Sequence, residues 1–211
     1  ALPISSLIYG DFSGYSDIAI GCARLFGIDL MQNFKYPYFS RDIAEFWRRW
    51  HISLTTWFRD YIYIPLGGSR AGKWKSFRNT LVIFLVSGFW HGANWTFVAW
   101  GAYHALLFLP LLFLGQNRRH RDSVAENSFL PSVKELTQMG ATFLLVLLGW
   151  ILFRSEDISQ AAVYLERMFN VSLFSAPQLV GLGFGQLLLK KCFFFTALMF
   201  VVEWIGRKQA H

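Results

Sequence analysis

The stretch that decides the fold covers residues 80–114 and reads TLVIFLVSGFWHGANWTFVAWGAYHALLFLPLLFL. It contains no aspartate, glutamate, lysine or arginine. As a single α-helix it would be about 52 Å long, well beyond a hydrocarbon core of about 30 Å. We therefore predict two apolar helices, as a hairpin or a re-entrant pair. The break is predicted at Gly92-Ala93-Asn94, because glycine and asparagine weaken a helix.

The composition of the whole chain indicates that its surroundings are largely lipid. Of its 211 residues, 54% are hydrophobic, 18% are aromatic and only 16% are charged. The mean hydropathy is +0.34. A soluble domain carries about 25% charged residues. We therefore predict an all-α, multi-spanning helical membrane protein in which residues 1–211 form a single membrane-embedded domain.

Three further segments are apolar enough to form membrane helices. Residues 136–153 carry no charged side chain. Residues 187–205 are interrupted by Lys190 and Lys191, whose side chains could extend to the interface. Residues 2–28 are apolar but include two aspartates and an arginine. We predict a membrane helix for each segment.

Residues 41–63 have a different pattern, in which large apolar side chains recur at helical spacing among arginines. The pattern predicts one amphipathic helix that lies at the membrane interface and ends before Pro65. By itself, His51 on this helix is interpreted as a packing or interfacial residue. The apolar positions of the pattern are Phe46, Trp47, Trp50, Leu54, Trp57, Phe58 and Tyr61.

The net charge of +7 comes from short basic runs between apolar segments. Nucleic-acid binding requires clustered basic residues on a soluble domain, so we exclude nucleic acid as a partner. Membrane proteins concentrate lysine and arginine in cytoplasmic loops. The basic runs at 70–78 and 118–121 flank the apolar stretch, so a hairpin would place both runs in the cytoplasm.

The sequence lacks the motifs of several enzyme classes. It contains no Walker motif, no dinucleotide-binding glycine pattern, no HExxH and no GxSxG. Cys22 and Cys192 form no CxxC pair and no cluster with zinc-ligand spacing. We predict that both cysteines are buried as small hydrophobic residues and that no metal is bound.

His91 lies deep in the apolar stretch, where an ionisable residue is costly and usually faces a cavity or a partner. One interpretation is a hydrogen-bonded packing histidine, and the other is proton relay or catalysis. A neutral imidazole could act as a general base toward an alcohol. Asn94 could then hold a substrate or an oxyanion, and Trp90 would enclose the site. His104 is interpreted as a packing residue.

Asp11 and Asp17 need partners if residues 2–28 enter the membrane. We expect arginines of the 41–63 segment or local hydroxyl groups to supply them. The alternative is that these aspartates, with Glu203, carry ions or protons in a transporter or flippase.

Four stretches follow one another in the first half of the chain. They read YGDFSGYSD at 9–17, FWRRWHIS at 46–53, WFRDYIYIPLGG at 57–68 and SGFWHGANW at 87–95. In wording and order they resemble the membrane-bound O-acyltransferase family, in particular its alginate O-acetyltransferase branch. The resemblance covers roughly residues 9–110, and the last 100 residues are similar only in their alternation of apolar spans and loops.

The resemblance implies a multi-spanning helical fold around a tunnel in which an acyl group meets a hydroxyl acceptor. It implies that His91, in the WHG stretch, is the active histidine and that His51, in WH-x-S, is a second motif histidine. It also implies an acyl donor such as acetyl-CoA or an acyl-carrier thioester, and no bound cofactor. Periplasmic or extracellular relay proteins are the implied partners. Such enzymes are about twice this length, so we expect a C-terminal fragment whose N-terminal half is missing.

The resulting hypothesis is a membrane O-acyltransferase of the bacterial inner membrane that acetylates an exported polysaccharide such as alginate. In this hypothesis His91 is the general base and His51 orients the acyl donor. Asn94, Trp90 and Trp50 bind the substrate. The alternatives are D-alanyl or peptidoglycan acyl transfer within the same family, and a transporter or flippase.

Overall fold

All regular structure in the computed structural model is helical within the described residues, which are 2–70, 72–168 and 185–209. The predicted all-α class is confirmed for this part of the chain. The helices are α1 (Leu2–Leu25), α2 (Ile43–Arg49), α3 (Ile52–Phe58), α4 (Lys73–His91), α5 (Trp95–Phe113), α6 (Val133–Arg154), α7 (Ile158–Met168) and α8 (Gly185–Gly206), and shorter helical turns cover Pro37–Phe39, Arg59–Tyr63 and Arg207–Gln209.

The apolar stretch forms the predicted hairpin, with α4 and α5 separated by Gly92-Ala93-Asn94. α4 begins before the apolar stretch because lysine and arginine are good helix formers. Gly88 and Gly101 let the two helices touch closely. A β-carbon on either glycine would lie 2.3 Å from a carbonyl oxygen of the other helix. The hairpin is therefore held together by direct backbone contact.

Two of the described helices, α5 and α6, are long and apolar enough to cross a membrane. The predicted segment 136–153 falls within α6. This helix begins with a capping box in which the side chains of Ser132 and Glu135 each accept a bond from the other's backbone N–H. The predicted segments 2–28 and 187–205 also form helices, α1 and α8.

The prediction of one continuous helix over 41–63 is wrong. The segment divides into α2, α3 and a π-helical turn, with a break at Trp50 and His51. The break forms because the preceding loop binds both sides of it. Lys35 N donates to Arg49 O, and Ile52 N donates to Asn33 O. The interfacial position of this segment stays a prediction.

The predicted burial of the two cysteines is also wrong, because Cys22 and Cys192 are both exposed. Apolar neighbours predict an apolar helix, but they do not predict which side of that helix meets another helix. Both cysteines lie on sides of α1 and α8 that the other described helices leave uncovered.

Within the described residues, the ion pairs predicted between α1 and the arginines of 41–63 do not form. Asp11 and Asp17 are exposed on α1. Arg49 instead contacts Glu45, with 2.7 Å between its guanidinium nitrogen and the carboxylate oxygen. Arg49 and Arg59 pair with carboxylates of their own segment, and Arg48 donates to two backbone carbonyls of the loop after α5, so the aspartates of α1 remain at the surface.

A buried ionic network fixes α2 against the loop between α5 and α6. The guanidinium of Arg41 is 3.1 Å from Glu45, 3.1 Å from Asp122 and 3.4 Å from Glu135. The side chains of Arg41 and Glu45 are almost fully buried. Buried charges are tolerated when they are paired in this way. The network positions α2, whose last residues lead into the break at His51.

Candidate active site

His91 is the last residue of α4, at the closed end of the hairpin. Its half-buried imidazole is surrounded by aromatic rings from three elements. The ring centroid of Trp90 lies 4.9 Å away, that of Trp100 on α5 lies 5.3 Å away, and that of Phe153 on α6 lies 4.9 Å away. These walls hold the imidazole in one place and keep water from most of its surface.

His51 occupies the break between α2 and α3, with backbone angles φ 44° and ψ 57° in the left-handed region. A residue other than glycine rarely adopts this conformation, and it persists only where its surroundings enforce it. Asn33 provides that restraint, since its side-chain oxygen accepts bonds from both the N–H and the hydroxyl of Ser53. The strained turn directs the imidazole toward Phe12, with 4.7 Å between ring centroids.

The two motif histidines both lie beside one tryptophan, Trp90. The ring centroid of Trp90 is 6.4 Å from that of His51 and 4.9 Å from that of His91. Burial lowers the pKa of His51, and the nearby His91 lowers it further. A lowered pKa keeps the imidazole of His51 neutral at physiological pH, so a ring nitrogen remains free to accept a proton.

The two tryptophans predicted to bind substrate differ in accessibility. Trp90 is 57% exposed, so it forms the open side of the site. Trp50 is buried and packs against Phe46 at 5.5 Å and Trp150 at 5.0 Å between ring centroids. In this arrangement Trp50 supports the turn at His51 from behind. Direct contact between Trp50 and substrate stays a prediction, and the buried position of Trp50 does not favour such contact.

Asn94 already uses both ends of its side-chain amide. Its oxygen accepts from Thr96 N at 3.1 Å, which caps the first turn of α5. Its nitrogen donates to the carbonyl of Glu156 at 2.6 Å, just beyond α6. Asn94 therefore ties the hairpin tip to the turn between α6 and α7. A role in holding substrate stays a prediction and would require one of these bonds to be exchanged.

Sequence reasoning missed three residues that shape the site: Phe12, Trp100 and Phe153. Phe12 lies inside the YGDFSGYSD stretch, so its position in a recognised motif was an available signal. Trp100 follows His91 by nine residues across the break, which places it one turn down the second helix of the hairpin. Nothing in the sequence around Phe153 indicates that it belongs to the site, because its contact with His91 depends on how α6 packs.

A separate cleft of about 610 Å³ opens between α1, α8 and residues 32–36. Asp17, Gln32 and Glu203 line it, together with apolar residues of α8. The hydroxyl of Tyr9 donates to Glu203 at its wall. Phe34 lines this cleft and also contacts Phe12, whose ring touches His51. The cleft is thus a neighbour of the histidine site and not part of it.

The described residues contain no group of three or more histidine, cysteine, aspartate or glutamate side chains that could hold a metal ion. The polar chemistry near Trp90 rests instead on two imidazoles enclosed by aromatic rings. Such a pair can accept and return protons.

The sequence profile of the membrane-bound O-acyltransferase family matches residues 2–126, which include all four motif stretches and both histidines. The chain belongs to this family. Membership accounts for the coincidence of the WHG and WH-x-S histidines at one tryptophan, since both stretches lie within the matched region.

Curated members of the family show the same relationship. A probable alginate O-acetylase of Pseudomonas aeruginosa is 42% identical over 90% of this chain and 35% of its own length. A peptidoglycan O-acetyltransferase of Helicobacter pylori is 38% identical over 82% of this chain and 31% of its own length. A teichoic acid D-alanyltransferase of Bacillus subtilis is 31% identical over 72% of this chain and 39% of its own length. The chain therefore spans about a third of the length of these relatives.

The alignments also correct the extent of the resemblance. A match over 194 residues reaches well past residue 110, so the second half of the chain shares more with the family than its alternation of spans and loops. Phe153 and Glu156, whose carbonyl accepts the bond from Asn94, lie in that second half.

Proposed function

We propose that this chain carries the acyl-transfer site of a multi-pass bacterial inner-membrane O-acetyltransferase whose acceptor is an exported polysaccharide such as alginate. The observation that carries the proposal is the placement of His51 and His91 beside the same residue, Trp90, within the two histidine motifs of the family. The similarity to alginate O-acetylases over 90% of the chain supports this choice of acceptor.

In the proposed reaction, His91 acts as the general base. A ring nitrogen takes the proton of an acceptor hydroxyl as its oxygen attacks the carbonyl carbon of an acyl thioester. The new C–O bond forms, the C–S bond breaks, and the proton passes from the imidazolium to the departing thiolate. The acceptor hydroxyl belongs either to the polymer or to a relay protein. Positioned general bases of this kind contribute about 10²- to 10⁴-fold to a rate.

The neighbouring residues have supporting roles in this proposal. His51, held neutral by burial, orients the acyl donor or assists the proton transfer. Trp90 forms the exposed wall against which the donor lies. The donor is acetyl-CoA or an acyl-carrier thioester. Periplasmic or extracellular proteins that relay the acyl group, and the surrounding lipid, are the proposed partners.

The proposed membrane arrangement follows from the hairpin. α5 and α6 have the length and hydropathy of spans, and we propose α1, α4 and α8 as further membrane-embedded helices. The basic residues at the start of α4 and after α5 share the open end of the hairpin, so the positive-inside rule assigns that end to the cytoplasm. His91 is then about 27 Å from that end, at 1.5 Å per residue from the start of α4, and lies toward the opposite, periplasmic side.

The test replaces His91 with alanine in the full protein, expressed in an alginate-producing bacterium that lacks its own O-acetylase. We expect hydroxylamine-reactive ester on the polymer to fall at least about 100-fold. His120→Ala is the matched control, because His120 lies outside the site and its side chain contacts only Asp42, at 3.7 Å, among the ion pairs of the described residues. Wild-type ester content in His91→Ala cells, at equal protein level, would overturn the proposal.

Two alternatives have their own support. Similarity to peptidoglycan and teichoic acid acyltransferases favours a different acceptor with the same His91 chemistry. It predicts that esters appear on the cell wall and not on alginate. The cleft beside α8 favours a transporter, because Asp17 and Glu203 line it together. That reading predicts that Asp17→Asn abolishes ion-coupled uptake while acyl transfer is absent from every variant.

A further inference from the structure

A buried polar cluster lies behind the His91 site. His104, on α5, is fully buried, and neither of its ring nitrogens has a hydrogen-bond partner among the described residues. The indole N–H groups of Trp47 and Trp100 are also buried there and have no acceptor in the part of the chain that the structure describes. The ring centroids of these two tryptophans lie 5.0 Å and 5.1 Å from that of His104.

Such a cluster is unfavourable if its only purpose is to fill space. A buried polar group without a partner destabilises the folded state, whereas an apolar side chain of similar volume does not. The neutral imidazole has one donor and one acceptor nitrogen, and each indole has only a donor. A water molecule between the rings would satisfy several of these groups at once, since buried waters make roughly two to four hydrogen bonds.

Helix α6 also packs closely against the imidazole of His104. Gly149 of α6 faces His104, and a β-carbon at Gly149 would lie 2.6 Å from the Nε2 atom. Trp47 of α2 meets the imidazole edge to face, with 89° between the rings. Three helices therefore converge on one polar side chain that the proposed reaction does not use.

Trp100 connects this cluster to the reaction site. Its indole is almost completely buried, and it contacts both imidazoles. The ring centroid of Trp100 is 5.3 Å from that of His91 and 5.1 Å from that of His104. Any interaction that fixes the indole of Trp100 therefore fixes one wall of the His91 site.

We propose that His104 is a positioning residue for the His91 site, and that it holds the indole of Trp100 in place through hydrogen bonds completed by a buried water. The inference rests on the proposed function of His91. His104 itself touches neither acyl donor nor acceptor in this proposal. It acts through Trp100, and small displacements of a catalytic group lower a rate steeply.

The test compares two substitutions that separate hydrogen bonding from packing. His104→Gln keeps a donor and an acceptor, whereas His104→Phe keeps the volume and removes both. We expect polymer ester to fall about 10- to 100-fold in His104→Phe and to be largely retained in His104→Gln, at equal protein level in the membrane. A purely packing role predicts the reverse order, because phenylalanine suits an apolar core better than glutamine. Equal or higher activity in His104→Phe would therefore overturn the inference.

Two further variants keep the test decisive if His104→Phe does not accumulate. Gly149→Ala presses on the imidazole without removing its nitrogens, so we expect it to lower polymer ester, and wild-type ester in this variant would also overturn the inference. Thr96→Val is the matched control on α5, since the Thr96 hydroxyl is another buried group without a partner in the described residues. We expect it to keep full activity. Wild-type ester in His91→Ala cells would instead contradict the proposed function, so the two failures are distinguishable.

Discussion

The imidazole of His51 meets the ring of Phe12 edge to face, with 4.7 Å between their centroids and 85° between their planes. This contact joins α1, which carries the first family motif, to the strained turn that presents the second motif histidine. Two motifs that are separated along the chain are therefore in direct contact in the fold. It also means that α1 helps to set the position of His51.

Replacing Phe12 with alanine should therefore lower acyl transfer without unfolding the protein. The loss of the ring removes one wall of His51 and lets the imidazole move, so we expect about a tenfold decrease in polymer ester. Tyr15→Ala is the control on the same helix, because Tyr15 is 70% exposed. An equal loss of activity in both variants would contradict a specific role for the contact between Phe12 and His51.

The hairpin should be intolerant of a single methyl group at Gly88. A β-carbon there would lie 2.3 Å from the carbonyl oxygen of Phe97, so α4 and α5 would have to separate. We expect Gly88→Ala to destabilise the protein by about 1–3 kcal/mol, measured by thermal unfolding in detergent. Gly140→Ala on α6 is the control, since outside its own helical turn no described residue has an atom within 4 Å of a β-carbon at Gly140. It should be neutral or slightly stabilising, and an equal loss in both variants would contradict close helix contact as the cause.

The buried ionic network should respond strongly to the loss of one charge. Glu45→Gln leaves Arg41 and Arg49 short of a carboxylate in a buried position, so we expect a loss of about 3–5 kcal/mol in the free energy of unfolding. Asp60→Asn removes the partner of Arg59 in an exposed pair and should have no measurable effect. Similar stability of the two variants would show that the network contributes little.

The same network should make stability depend on acidity. Partial burial alone would raise the pKa of Asp122, but hydrogen bonds from Arg41 outweigh it and hold this pKa below its ordinary value. A depressed pKa stabilises the folded state above the unfolded-state value of about 3.9, and the stabilisation is lost as pH falls through the folded-state pKa.

We therefore expect the melting temperature in detergent to fall as pH is lowered below about 4, and to fall less steeply in Asp122→Asn. Measurements between neutral pH and pH 3 would check this. An identical pH dependence in the two proteins would show that other carboxylates account for the acid sensitivity.

Features with a local cause could be predicted from the sequence. The break at Gly92-Ala93-Asn94 follows from helix propensity and from the excessive length of the apolar stretch, and the structure confirms it. The expectation that His51 and His91 belong to one site rests on their two family motifs and not on the spacing between the two residues. Neither periodicity nor composition could have placed the two histidines beside Trp90.

Features with a distant cause could not be predicted. The turn at His51 depends on hydrogen bonds that Ile52 and Ser53 donate to Asn33, which lies 18 residues before His51. Helical periodicity continues through that turn, so the sequence predicted one helix where the loop imposes a break. The exposure of Cys22 depends in the same way on which side of α1 meets other helices.

The length of α4 fixes the distance between His91, at the closed end of the hairpin, and the open end. His91 is the last of the 19 residues of α4, and α4 packs closely against α5 at Gly88 and Gly101. Adding one residue within α4 would carry the imidazole about 1.5 Å further and turn it by about 100°, away from Phe153. The same insertion in the loop that follows α5 would leave the imidazole where it is. The position of the His91 imidazole therefore depends on the number of residues in α4, so insertions and deletions should be tolerated between the helices and excluded from α4.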